Sequence, residues 1–113
     1  MKIKIKEKAG ITVLRLSGEM HGGQKNLELV DIVKDLASKD KLDIVINLSR
    51  VKWISSTGLG ILVSARSSLA KEGGIVKLCE PNDRILGILQ VTRLNVIFDV
   101  FDSEDEAIAS FNE

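Results

Sequence analysis

The chain has 113 residues, enough for one domain (1–113) with a core of its own. Sixteen basic and sixteen acidic residues cancel and 44% of the chain is apolar, which argues against disorder and against a direct nucleic-acid partner drawn by a global field. One cysteine, Cys79, excludes an internal disulfide; with no apolar signal core and no apolar run near the roughly 20 residues that span a bilayer, a soluble cytoplasmic protein without a membrane span is expected.

Ile3 and Ile5 alternate with lysines, the period of a strand, and Lys8-Ala9-Gly10 reads as a turn into a second strand, Ile11–Leu16. The two predict an antiparallel hairpin whose lysines either guard a sheet edge or form a binding patch. Gly18–Gly23 (GEMHGG) reads as a loop. Leu27, Val30, Val33, Leu36 and Ala37 recur at helical spacing within Gln24–Ser38. Leu42–Leu48 is apolar and β-branched, as in a central strand.

A helix is predicted over Ile61–Lys71, stopped by Gly73-Gly74. Ile75–Cys79 reads as a strand with Cys79 a small buried side chain, and Pro81 suits the first turn of a helix carrying Ile85, Leu86, Ile88 and Leu89. Val96–Phe101 reads as the last strand. Ser103 and Glu106 form an S-x-x-E capping box for a closing helix to Phe111. The order β-β-α-β-α-β-α-β-α predicts an α/β protein: one mixed sheet of about five strands with about four helices, joined by right-handed crossovers. Sites in such folds lie where strands end and helices begin.

One such junction carries Trp53-Ile-Ser-Ser-Thr-Gly-Leu-Gly60. Hydrolysis needs a base beside a serine, but the G-x-S-x-G elbow is absent and the one histidine, His21, lies in another loop, so no catalytic residues are assigned. A phosphate cradle lacks its lysine, and a metal site lacks its ligands; no cofactor is expected. A helix cap explains one hydroxyl. It does not explain three, nor two glycines in the first turn at about 1 kcal/mol each relative to alanine, although close packing would account for Gly58 and Gly60. An exposed serine at a helix start can also carry a phosphate, since free N–H groups and the helix dipole tolerate the anion while a docked partner does not. Trp53 is either packed beneath this loop or a docking anchor.

The run Ile44–Gly60, IVINLSRVKWISSTGLG, resembles the signature of STAS domains of the bacterial anti-sigma factor antagonist family. Leu16-Ser-Gly-Glu-Met20, Gly73-Gly74, Pro81 and Leu94–Phe98 resemble its other landmarks, so the likeness covers essentially the whole chain. It implies a partner-switching regulator of transcription rather than an enzyme. In that family the antagonist binds an anti-sigma factor that is also a serine kinase. The kinase phosphorylates the antagonist, and a serine/threonine phosphatase restores it. The carry-over makes Ser56 the phosphoacceptor, with Thr57 or Ser55 as alternatives in the same run of hydroxyls. It places partner binding at His21, Ser55, Ser56, Thr57, Gly58, Leu59, Ile61, Leu62 and Ser64. Ser55 and His21 stand where the family pattern has aspartates. Those departures leave a second reading open, a STAS accessory subunit docked permanently in a transport or signalling assembly without phosphorylation.

Overall fold

The computed structural model describes residues 2–20 and 24–112. The chain order is β1 (Lys2–Lys8), β2 (Ile11–Met20), α1 (Gln24–Ser38), β3 (Asp43–Ile54), α2 (Ser56–Ala70), β4 (Ile75–Cys79), α3 (Asp83–Val91), the single turn α4 (Leu94–Ile97), β5 (Val100–Phe101) and α5 (Glu104–Ser110). The β1–β2 hairpin closes through Ala9 and Gly10, both at positive φ, which matches the right-handed strand twist in a two-residue turn. The five strands lie side by side in chain order; β1 and β2 are antiparallel and every later pair is parallel.

This order dictates where the helices go. A sheet that grows steadily in one direction through right-handed crossovers puts every crossover helix on the same face. Leu29, Val33 and Leu36 of α1, Leu62, Ala65 and Leu69 of α2, and Ile85 and Leu89 of α3 bury there against Leu14, Leu16, Ile44, Ile46 and Leu48. The last helix, α5, is no crossover and packs on the opposite face, where Ala107 and Ile108 meet Ile11, Val13, Val45 and Cys79. It packs over β3, β4, β5 and the start of β2, and leaves Lys2 and Lys4 of β1 and Arg50 and Lys52 of β3 exposed.

The expected class and hairpin are present, α1 and β4 have the predicted bounds, and the first strand's lysines lie on an edge strand. Several boundaries differ. Gly18–Met20 continue β2, pairing Gly18 with Val51 and Met20 with Ile54, and β3 runs on to Ile54 rather than stopping at Leu48. Register shifts between Arg15 and Ser17 and between Gly18 and Glu19 broke the alternation on which strand recognition depends. Helix α2 begins five residues before Ile61 because its cap lies at Ser55. Pro81 lies outside α3, which is capped by Asn82, its Oδ1 accepting from the Ile85 N–H at 2.8 Å. The expected strand from Val96 is reduced to Val100–Phe101: Arg93, left-handed at φ 60°, starts a helical turn that leaves Val96 and Ile97 exposed and only Phe98 buried. The Ser103 cap holds as expected, accepting from the Glu106 N–H and donating to its carboxylate.

Candidate functional site

The junction of β3 with α2 is built from the ends of β2 and β3. The Ser55 N–H donates to the Met20 carbonyl at 2.8 Å, pinning the turn to β2. Ser55 Oγ then accepts from the Gly58 N–H at 2.9 Å, and its carbonyl accepts the Leu59 N–H, the first turn of α2. A side chain at Gly58 has no room: a Cβ there would lie 2.6 Å from the Met20 carbonyl oxygen and 2.9 Å from Ile54 Cγ1. The three hydroxyls therefore have different positions. Ser55 is half-buried and committed to the cap, whereas Ser56 and Thr57 stand exposed in the first helical turn. That turn contains no acidic side chain, so its positive end faces solvent uncompensated from within the helix.

Of the residues expected to meet a partner, Gly58 is buried, whereas Ser56, Thr57 and Ser64 share the outward side of α2, where Gly60 joins them. Leu59, Ile61 and Leu62 do not: they are 8%, 5% and 0% exposed, because α2 leans on both the sheet and α1 and buries two sides of its first turns. They hold the helix in place instead of lining its surface. His21 lies outside the described residues. Gly60 differs from Gly58 in having open space where its Cβ would be, so close packing within the chain accounts for only one of the two glycines. Trp53 lies on β3 and is 38% exposed. Cys79 is fully buried, and burial pushes its thiol up to about 12, away from nucleophilic use.

A second polar centre escaped sequence reasoning. Glu104, the first residue of α5, is 7% exposed on the far side of the sheet. Its carboxylate accepts two bonds from Arg15 (3.0 and 2.8 Å), one from Lys8 (2.9 Å) and one from Asn47 (3.0 Å). The Arg15 hydrogen bonds, against the opposing effect of burial, hold that carboxyl down to about 2. The same partnership raises the Arg15 guanidinium. The Glu80 carboxylate closes the group by accepting the Glu104 N–H at 2.8 Å. The signal was present in the sequence as polar residues interrupting apolar strands, Arg15 in ITVLRLS and Asn47 in IVINLS, but no spacing rule joins positions some 90 residues apart.

A family model for the STAS domain matches residues 2–107. An anti-sigma F factor antagonist of Paenibacillus polymyxa is 22% identical over 108 residues, covering 96% of this chain and 92% of the relative. The crystal structure of an anti-sigma factor antagonist from Mycobacterium paratuberculosis superposes with a TM-score of 0.80 at 23% identity, covering 99% and 94% of the two chains. The antagonist SpoIIAA of Bacillus, solved unphosphorylated and phosphorylated, gives 0.72 for both forms at 17% and 19% identity; coverage is 98% of both chains for the first, 97% and 99% for the second. These likenesses share the fold described above.

Proposed function

This chain belongs to the STAS-domain family, and we propose that within it the protein acts as an anti-sigma factor antagonist switched by phosphorylation of Ser56. The observation that carries this reading is the division of labour among the hydroxyls. Ser55 holds the cap, so α2 does not depend on Ser56, whose side chain stands exposed one residue later. A phosphate there would add about −1.5 to −2 charges beside the helix's positive end, which the fold tolerates. A partner seated on Ser56, Thr57, Gly60 and Ser64 would meet that charge directly. SpoIIAA, a structural neighbour, has been solved in phosphorylated and unphosphorylated forms, which supports a switch of this kind. The partner in this reading is an anti-sigma factor with serine kinase activity, and a serine/threonine phosphatase reverses the modification. His21 belongs to the same proposed contact. Ser55 performs the capping that an aspartate would perform but without its charge, so the kinase must recognise a less acidic surface.

The test is mass spectrometry of the tryptic peptide bounded by Lys52 and Arg66, from protein isolated out of its own cells during growth and under stress. Phosphate on Ser56 with an occupancy that changes supports the switch. Phosphate confined to Ser55 or Thr57 moves the acceptor, and none under any condition overturns the switch in favour of a permanently docked STAS subunit.

A further inference from the structure

The half of the sheet that α5 leaves open is not a neutral surface. In the register of β1, β2 and β3, Lys2 lies opposite Ser17 and Ser17 opposite Arg50, while Lys4 lies opposite Arg15. The alternation that sends Leu14 and Leu16 to the helix-covered core sends Arg15 and Ser17, with Lys4 and Lys2 opposite them, to the far side, and the register shift between Arg15 and Ser17 brings Arg50 to the same face. Two adjoining depressions of about 550 and 750 Å³ form there, and Lys2, Ser17, Ser49 and Arg50 line both. Lys4 extends the first and Lys52 the second.

The charges are not cancelled locally. Glu104, at the floor of the first depression, is already neutralised by Arg15 and Lys8, and Glu80 accepts from Asn47 and the Glu104 N–H. Lys2, Lys4, Arg50 and Lys52 are exposed, and among the described residues none of them makes an ion pair. Glu19, two residues beyond Ser17, is the next carboxylate along β2 and does not line either depression. A guanidinium, ammonium groups and two hydroxyls line the two depressions and outnumber the one carboxylate there without a cationic partner, that of Glu80; they match the donors that an oxoanion takes.

We propose that this open sheet face is a binding site for a small molecule bearing a phosphate group, held by Lys2, Arg50, Ser17 and Ser49, with Lys4 and Lys52 at its margins. The site lies on the opposite face of the sheet from α2, so it stands or falls independently of the Ser56 switch.

The experiment is an amide NMR titration of the full chain with sodium phosphate, and separately with AMP, against sodium chloride at matched ionic strength. Saturable shifts at Ser17, Ser49 and Arg50 are expected with phosphate and AMP and not with chloride. Arg50→Gln should weaken binding roughly tenfold, whereas Lys34→Gln, an exposed lysine on α1, should leave it unchanged. A third arm uses vesicles of phosphatidylglycerol against phosphatidylcholine: co-sedimentation with the former alone, lost in Arg50→Gln, assigns the phosphate to a lipid headgroup. Shifts that fail to saturate, or that Arg50→Gln leaves intact, with no vesicle binding, overturn the site. Because Arg50 is exposed, its variant is expected to fold, and its amide spectrum reports that directly.

Discussion

At the residue scale, three adjacent hydroxyls have separable consequences. Ser55→Ala removes the cap acceptor for the Gly58 N–H and should cost about 1 kcal/mol, read by urea unfolding. Ser56→Asp places a charge at an exposed position on the favourable end of a helix and should change stability by less than about 0.5 kcal/mol. The same substitution should weaken binding to the proposed anti-sigma partner by at least about tenfold, since it buries a carboxylate in the contact and the first turn of α2 has no basic side chain to pair with it. Equal affinity of Ser56→Asp and wild type in a calorimetric titration would remove Ser56 from the interface. The sequence alone could not separate these hydroxyls, because each residue type caps helices about equally well. The distinction came from the Ser55–Met20 hydrogen bond, a contact between strands far apart in sequence.

At the element scale, α2 depends on its two glycines in opposite ways. Gly58→Ala drives a methyl into the backbone oxygen of Met20, which cannot swing aside as a side chain would, and should destabilise by roughly 1–3 kcal/mol. Gly60→Ala enters open space in a helix interior and should stabilise the isolated protein by up to about 1 kcal/mol. If a partner approaches α2 closely, that gain is accompanied by weaker binding; thermal melts and a pull-down on the same pair of variants read both. The helical period in the sequence identified α2, and the family resemblance placed Leu59, Ile61 and Leu62 at a partner surface. All three are buried because the sheet and α1 enclose the helix from two sides, and the neighbouring Val63 is half-buried. Periodicity reports one apolar stripe and cannot anticipate a second packing neighbour.

At the scale of the whole molecule, Glu104 ties β1, β2 and β3 to the helix on the far side of the sheet. Its carboxyl is lowered from an ordinary 4.5 to about 2, so its contribution is complete above pH 4.5 and is lost as pH falls towards 2. Allowing for solvent screening at the partly exposed Lys8 and Arg15, that contribution is of the order of 2 kcal/mol. Glu104→Gln should therefore be less stable by about this amount at neutral pH and should show a flatter stability profile between pH 4.5 and 2. Urea unfolding across that range measures it, and a variant whose profile parallels wild type would place the acid sensitivity elsewhere.

The sequence by itself determined the class of fold, the hairpin, the order of the elements and the location of the hydroxyl-rich junction. Each of these follows from short-range patterns: alternation, helical spacing, caps and turn residues. The resemblance carried by IVINLSRVKWISSTGLG also needed no coordinates, and the family model over residues 2–107 agrees with it. Tertiary structure alone decided which hydroxyl is spent on the cap, which glycine is sterically required and where β2 and β3 end. It also decided that Val96 turns outward and that Arg15, Asn47, Glu80 and Glu104 meet. Those outcomes depend on which strands become neighbours and on which face each helix lands. Both are set by the cooperative arrangement of the sheet, which residues read a few at a time do not encode.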